Sequence, residues 1–103
     1  MVITNEIKAL IPKAPFFPIV TVSAQKEPHL IVAGQVKEVR DGDVLAFGIY
    51  KMQTTQRNIQ ETGQMQVVIV TREGGPKGFR LLGNACVEGQ LVLFRAEKAE
   101  ALL

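Results

Sequence analysis

Apolar and polar positions along this chain change period several times, and each change marks an element. In "TNEIKALIPK" Ile7, Leu10 and Ile11 fall at helical spacing, with Thr4 or Asn5 placed to cap the first turn and Glu6 inside it. Pro12 and Pro15 stop that helix. "FFPIVTVSA" then alternates, Val20, Val22 and Ala24 on one face and Ile19, Thr21 and Ser23 on the other, which is the period of a strand. "QKEP" turns the chain into a second strand, "HLIVAGQVKEV". Inside it the parity slips: Leu30, Val32 and Val36 share one face, and Val39 falls on the other. Gly34 stands at the slip, a place that suits a bulge or the close approach of another group to bare backbone.

Asp41-Gly42 signals a tight hairpin into "DVLAFGIY", whose apolar residues on both faces predict cover on both faces. A helix "MQTTQRNIQET" follows and ends at Gly63. "QMQVVIVTR" reads as a buried strand, "EGGPKG" as a loop, and "FRLLGNACVE" and "QLVLFR" as strands joined through Gly89. "AEKAEALL" has the composition to begin a terminal helix. Six mostly antiparallel strands escape bare edges by closing, so the pattern predicts a mainly β fold, a small β-barrel with helices at its ends.

Composition narrows the picture. A chain of 103 residues makes one domain, 1–103, with a single packed core. Hydrophobic residues make up 47% of it, more than so small a surface hides alone, so an apolar subunit interface, most simply that of a homodimer, is expected. The formal charge of +2 comes from scattered basic residues without the clustering or interleaved aromatics of a nucleic-acid binder. No stretch approaches the ~20 apolar residues that span a bilayer. The N-terminal "MVITNEIKALIPKAP" lacks the basic start and apolar run of a signal peptide, so a cytoplasmic location is expected. The one cysteine, Cys86, forms no disulfide framework and reads as a small packed strand residue.

Hydrolytic chemistry finds no support. The one histidine, His29, follows Pro28 at a strand start without a nucleophile motif, and it reads as structural. Asp41, Asp43 and Glu73 fall in turns. "GGPKG" lacks the eight-residue phosphate-loop pattern and is a hairpin loop with Lys77 solvated at its tip. No metal-ligand spacing and no catalytic residue emerges. The corner at residues 50–55 remains, where Lys51, Thr54 and Thr55 meet a helix start. Two readings stand there: an anion site built on helix amides, two hydroxyls and the charges of Lys51 and Arg57, or a plain helix cap made by Thr54.

Three stretches, "PHLIVAGQVKEVRDGDVLAF", "MQTTQRNIQ" and "VVIVTREGGPKGFRLLGNA", together resemble the flavin-binding split-barrel family, the pyridoxamine 5'-phosphate oxidase-like group, and among them the small bacterial FMN-binding type. The likeness runs from about Phe17 to Val87 and rests on "VRDGD", on Met52, Thr54, Thr55, Asn58 and Ile59 at the helix start, and on Gly78, Phe79, Leu81, Gly83 and Ala85.

The resemblance implies a six-stranded antiparallel split barrel of the FMN-binding type, homodimeric, with FMN at the subunit interface. It implies a phosphate held by Met52, Gln53, Thr54 and Thr55, with Lys51 as charge support. The ring would lie along Ala46 to Tyr50 and Val32 to Gln35, with Val32, Ala33, Gly34, Phe47, Gly48 and Ile49 as its contacts. Relatives commonly carry Lys where Thr54 stands, and losing such a charge-assisted bond costs on the order of 1.5–3 kcal/mol. They also continue with a helix and a further strand, so the end at Leu103 implies a more open pocket, and the substrate-binding segment of the oxidases has no counterpart. The implied function is electron transfer or reduction of a small acceptor, with a small-molecule or protein donor or acceptor and the flavin carrying the chemistry. The alternatives are a non-catalytic carrier or sensor of flavin or haem, with His29 the one imidazole available, and a structural dimer without ligand.

Overall fold

The computed structural model describes residues 1–102. Helix α1 (Asn5–Leu10) is capped by Thr4, whose hydroxyl accepts from the Ile7 amide at 3.3 Å, and Pro12 is absorbed in the 3-10 turn Ile11–Lys13 that follows. Strands β1 (Phe17–Val22), β2 (Pro28–Ala33), β3 (Glu38–Arg40) and β4 (Val44–Gly48) lead to α2 (Gln53–Thr62), then β5 (Gln64–Thr71), β6 (Lys77–Glu88) and β7 (Leu91–Ala101). All pairings are antiparallel, in the spatial order β2-β1-β5-β6-β7-β4-β3.

Closure comes from the second predicted strand. "HLIVAGQVKEV" is interrupted over residues 34–37, so its first half, β2, pairs with β1 and its second half, β3, pairs with β4. The two ends of the sheet are thus consecutive in the chain, and the sheet returns on itself as a barrel. Seven strands replace the expected six for this reason alone. The parity slip at Gly34 marks the break.

The core follows the alternation. Phe17, Ile19 and Thr21 of β1 point inward at 2% exposure or less, as do Met65, Val67 and Ile69 of β5. Leu45, Ala46 and Phe47 of β4 are all fully buried, so this strand is covered on both faces as its sequence predicts. Helix α2 is tied to β1 by Asn58, whose amide donates to Thr21 Oγ1 at 3.1 Å, and by the Thr62 hydroxyl, which donates to the Val22 carbonyl at 3.0 Å. Gly63 ends it in the left-handed region at φ 71°.

Two expectations fail. "AEKAEALL" does not begin a helix: β7 runs on to Ala101, and Leu103 lies outside the described residues. The first half of β6 needs a partner, and β7 supplies it, pairing Leu81 with Ala99 and Arg80 with Glu100. The Arg80 guanidinium donates twice to Glu100 Oε1 and holds that carboxyl below the usual carboxylate range. Pairing across the sheet overrides local helix propensity. Cys86 is exposed rather than packed, because its side of β6 faces outward.

The hairpin after β3 is a three-residue loop, Asp41 to Asp43, with Gly42 at φ 84° and Asp43 at φ 62°. Asp43 does more than turn the chain: its Oδ1 accepts from the Ile3 and Val2 amides at 2.9 and 3.0 Å. Those amides lower its carboxyl below the ordinary value, against a smaller opposing effect of burial. The stabilisation is therefore present above about pH 4 and lost as pH falls through the lowered value. Asp43→Asn tolerates the same backbone but lacks the charge. It is expected to destabilise the protein by about 1 kcal/mol at pH 7, with the deficit shrinking as pH falls through the lowered value of the Asp43 carboxyl, read from denaturant titrations at neutral and acid pH.

Candidate functional site

The corner between β4 and α2 gathers most of the residues expected to hold a cofactor. Met52 is the N-cap of α2 and has no side-chain hydrogen bond to the first turn, so Thr54 does not cap the helix. Gln53, Thr54 and Thr55 are the first three helical residues, and amides there have no intrahelical acceptor. The positive end of the helix dipole is thereby left open to an anion. Lys51 reaches the corner in the left-handed region at φ 52°, which a side-chain-bearing residue adopts at a cost of about 1 kcal/mol. Its Nζ lies 5.5 Å from the centre of the Tyr50 ring.

Two hollows meet at this corner. One, of about 380 Å3, is lined by His29, Lys51, Gln53 and Thr54. The other, of about 310 Å3, has Val32, Ala33 and Gly34 on one side and Gly48, Ile49 and Met52 on the other. An added Cβ at Gly34 would meet nothing within 4 Å, so its backbone is bare. At Gly48 an added Cβ would sit 3.4 Å from Cε of Lys37, whose side chain lies across that glycine. The Lys37 amide donates to the Ala46 carbonyl at 2.8 Å, which fixes the residue beside β4.

Nine of the eleven residues expected at the site line these hollows. Phe47 and Thr55 do not. Phe47 turns its ring into the core, edge-on to Phe17 with centroids 6.4 Å apart, so only its backbone lies along β4's outer course. Thr55 is 1% exposed, and its Oγ1 is the buried side-chain oxygen without a partner among the described residues. Gln35 and Tyr50, at the ends of the two stretches expected along the ring, line the apolar hollow as well, and two further lining residues, Lys37 and His29, are ones the sequence does not point to. Lys37 carries no motif signal, and nothing local links His29 to residue 51. Its register opposite Thr21 on the barrel's inner face brings it there.

The residues present suit a phosphorylated, flat cofactor. Open helix amides, an amine and hydroxyl or amide side chains are anion donors, and a groove with bare backbone at Gly34 and a lysine-covered glycine opposite is the shape a ring system needs. The barrel and this corner define the class of flavin-binding split barrels.

Residues 3–98 match the pyridoxamine 5'-phosphate oxidase family, and the chain belongs to it. HupZ from Group A Streptococcus shares the fold with a TM-score of 0.79 at 20% identity, over 99% of this chain and 94% of that one. An FMN-binding protein from Syntrophomonas wolfei aligns with a TM-score of 0.71 at 15% identity, over 93% and 88%. HutZ, the heme storage protein from Vibrio cholerae, aligns with a TM-score of 0.65 at 17% identity, over 97% and 92%. Likeness at these identities establishes the shared fold. Comparison with curated proteins gives no match. No helix among the described residues is long and apolar enough to cross a membrane.

Proposed function

We propose that the protein is a cytoplasmic FMN-binding homodimer, each chain a single split-barrel domain, that passes electrons or reduces a small acceptor. The observation that carries this is the pair of hollows between which residues 50–53 are divided, Lys51 and Gln53 lining the one rich in anion donors and Tyr50 and Met52 the one that meets the bare backbone of Gly34. Lys51, Gln53, Thr54 and the first amides of α2 hold the phosphate, and the hydroxyl of Thr55, buried and without a partner among the described residues, donates to it on binding. Val32, Ala33, Gly34, Gly48 and Ile49 flank the ring, and Lys37 brings a cation to the same groove. Bound flavin supplies the redox chemistry; the protein contributes anchoring, orientation and exclusion of water.

Support for the dimer comes from the outer face of β1 and β2. Leu30 and Val32 are 63% and 58% exposed, and they pair with Val20 and Pro18, so four apolar residues form a contiguous outward surface. The test is direct. Purified protein should be yellow, sediment as a dimer, and quench added FMN fluorescence at micromolar concentration. Colourless protein that leaves FMN fluorescence unchanged would count for a structural dimer and against this reading.

One observation favours a second reading. His29 lines the polar hollow, an imidazole is a haem ligand, and the fold is shared with a heme storage protein. A Soret band after haem addition, abolished in His29→Ala, would establish a haem carrier instead.

A further inference from the structure

The polar hollow draws its lining from two separate stretches, and one of its members is an imidazole. His29 is half-buried on β2, opposite the buried Thr21, and it lines the hollow with Lys51, Gln53 and Thr54. We propose that His29 is the second cation of the phosphate subsite, so that the preference for a phosphorylated flavin strengthens on mild acidification. This rests on the flavin reading above.

The charge balance argues for it. Thr54 brings a hydroxyl to the start of α2 and no charge, so among the described residues Lys51 is the one permanent cation lining the hollow. A phosphate monoester carries close to two negative charges above its second pKa of about 6. A neutral imidazole offers one N–H donor; the protonated ring offers two and a charge, and imidazoles typically change state between about pH 5 and 8. Other charged groups nearby do not take this role. Glu27 is exposed in the β1–β2 turn, and Arg57 is exposed on the next turn of α2. Glu61, near the end of α2, is engaged by the Ala24 amide at 2.9 Å. Across β1 the partner of His29 is the uncharged Thr21. Anion binding therefore selects the imidazolium, and by linkage the imidazolium favours the anion equally.

The experiment compares FMN with riboflavin, which lacks the phosphate, in wild type and His29→Gln between pH 8 and 6.5. The ratio of riboflavin Kd to FMN Kd in wild type is expected to rise about threefold to tenfold over that range. It should level off further down, where the phosphate itself takes a proton. In His29→Gln the ratio should stay flat. The chain has one histidine, so a single imidazole C2 proton resonance reports its titration. Saturating FMN should move its midpoint upward by about 0.5 to 1 in pH, and riboflavin should leave it in place. An FMN preference independent of pH, with an unmoved midpoint, overturns the role of His29 and leaves the flavin site standing. No flavin bound at any pH overturns both.

Discussion

Gly83→Ala should lower stability by about 3 kcal/mol or more, a large share of the ~5–15 kcal/mol that holds a small domain together. A Cβ at residue 83 would lie 1.9 Å from the Arg95 carbonyl oxygen, 2.9 Å from its carbon and 3.1 Å from the Ala96 Cα. All three are backbone atoms of the neighbouring strand, so no side chain can swing aside. The register shifts at this point: Leu82 pairs with Lys98 and Gly83 with Ala96, leaving Glu97 as the extra residue of a bulge. Moving β7 away would pull on Val92 and Phe94 in the core and on the pairing of Phe94 with Leu45 in β4. Thermal unfolding followed by circular dichroism should therefore fall by more than about 10 °C. Gly34→Ala is the control. Its Cβ meets nothing and its φ is ordinary, so the melting temperature should stay within about 3 °C. A Gly83→Ala protein that melts with wild type would contradict the bulge.

Thr55→Val is expected to act in opposite directions on stability and on ligand affinity. The hydroxyl is buried and unpartnered, and an unsatisfied polar group in that state costs about 1–3 kcal/mol. Valine keeps the branched shape without the hydroxyl, so the ligand-free protein should gain about 1 kcal/mol, a rise of about 4–8 °C in melting temperature. If that hydroxyl is the donor a phosphate satisfies, FMN should bind about tenfold more weakly while riboflavin is unaffected. Calorimetric titration with both flavins separates the cases. Equal losses for the two would remove Thr55 from the phosphate site, and a less stable protein would mean that the hydroxyl serves the fold.

The barrel was largely legible in the letters because its strands alternate strictly. Phe17, Ile19 and Thr21, or Met65, Val67 and Ile69, announce an inward face by period alone. Gly34 and the parity slip announced a discontinuity, though not that the strand would serve both ends of the sheet. The end of β7 was not legible, since alanine, glutamate and lysine favour a helix until Arg80 and Leu81 offer an edge to pair with. Cys86 was misread for a related reason: alternation fixes which residues share a face, and only the assembled sheet says which face is out.

The site divides in the same way. Lys51, Thr54 and the start of α2 are near neighbours in the chain, so the sequence by itself determined that a cation and a hydroxyl meet at a helix start, along with the alternating strands and the glycine turns between them. Tertiary structure decided that Met52, rather than a hydroxyl, begins the helix, and that Thr55 and Phe47 turn inward. It also laid Lys37 over Gly48 and brought His29 to Lys51. Local periods and propensities act over a few residues. Register, closure and the meeting of residues twenty or more positions apart depend on which pairing of whole strands buries the most apolar surface with every backbone group satisfied, and that is a property of the complete barrel.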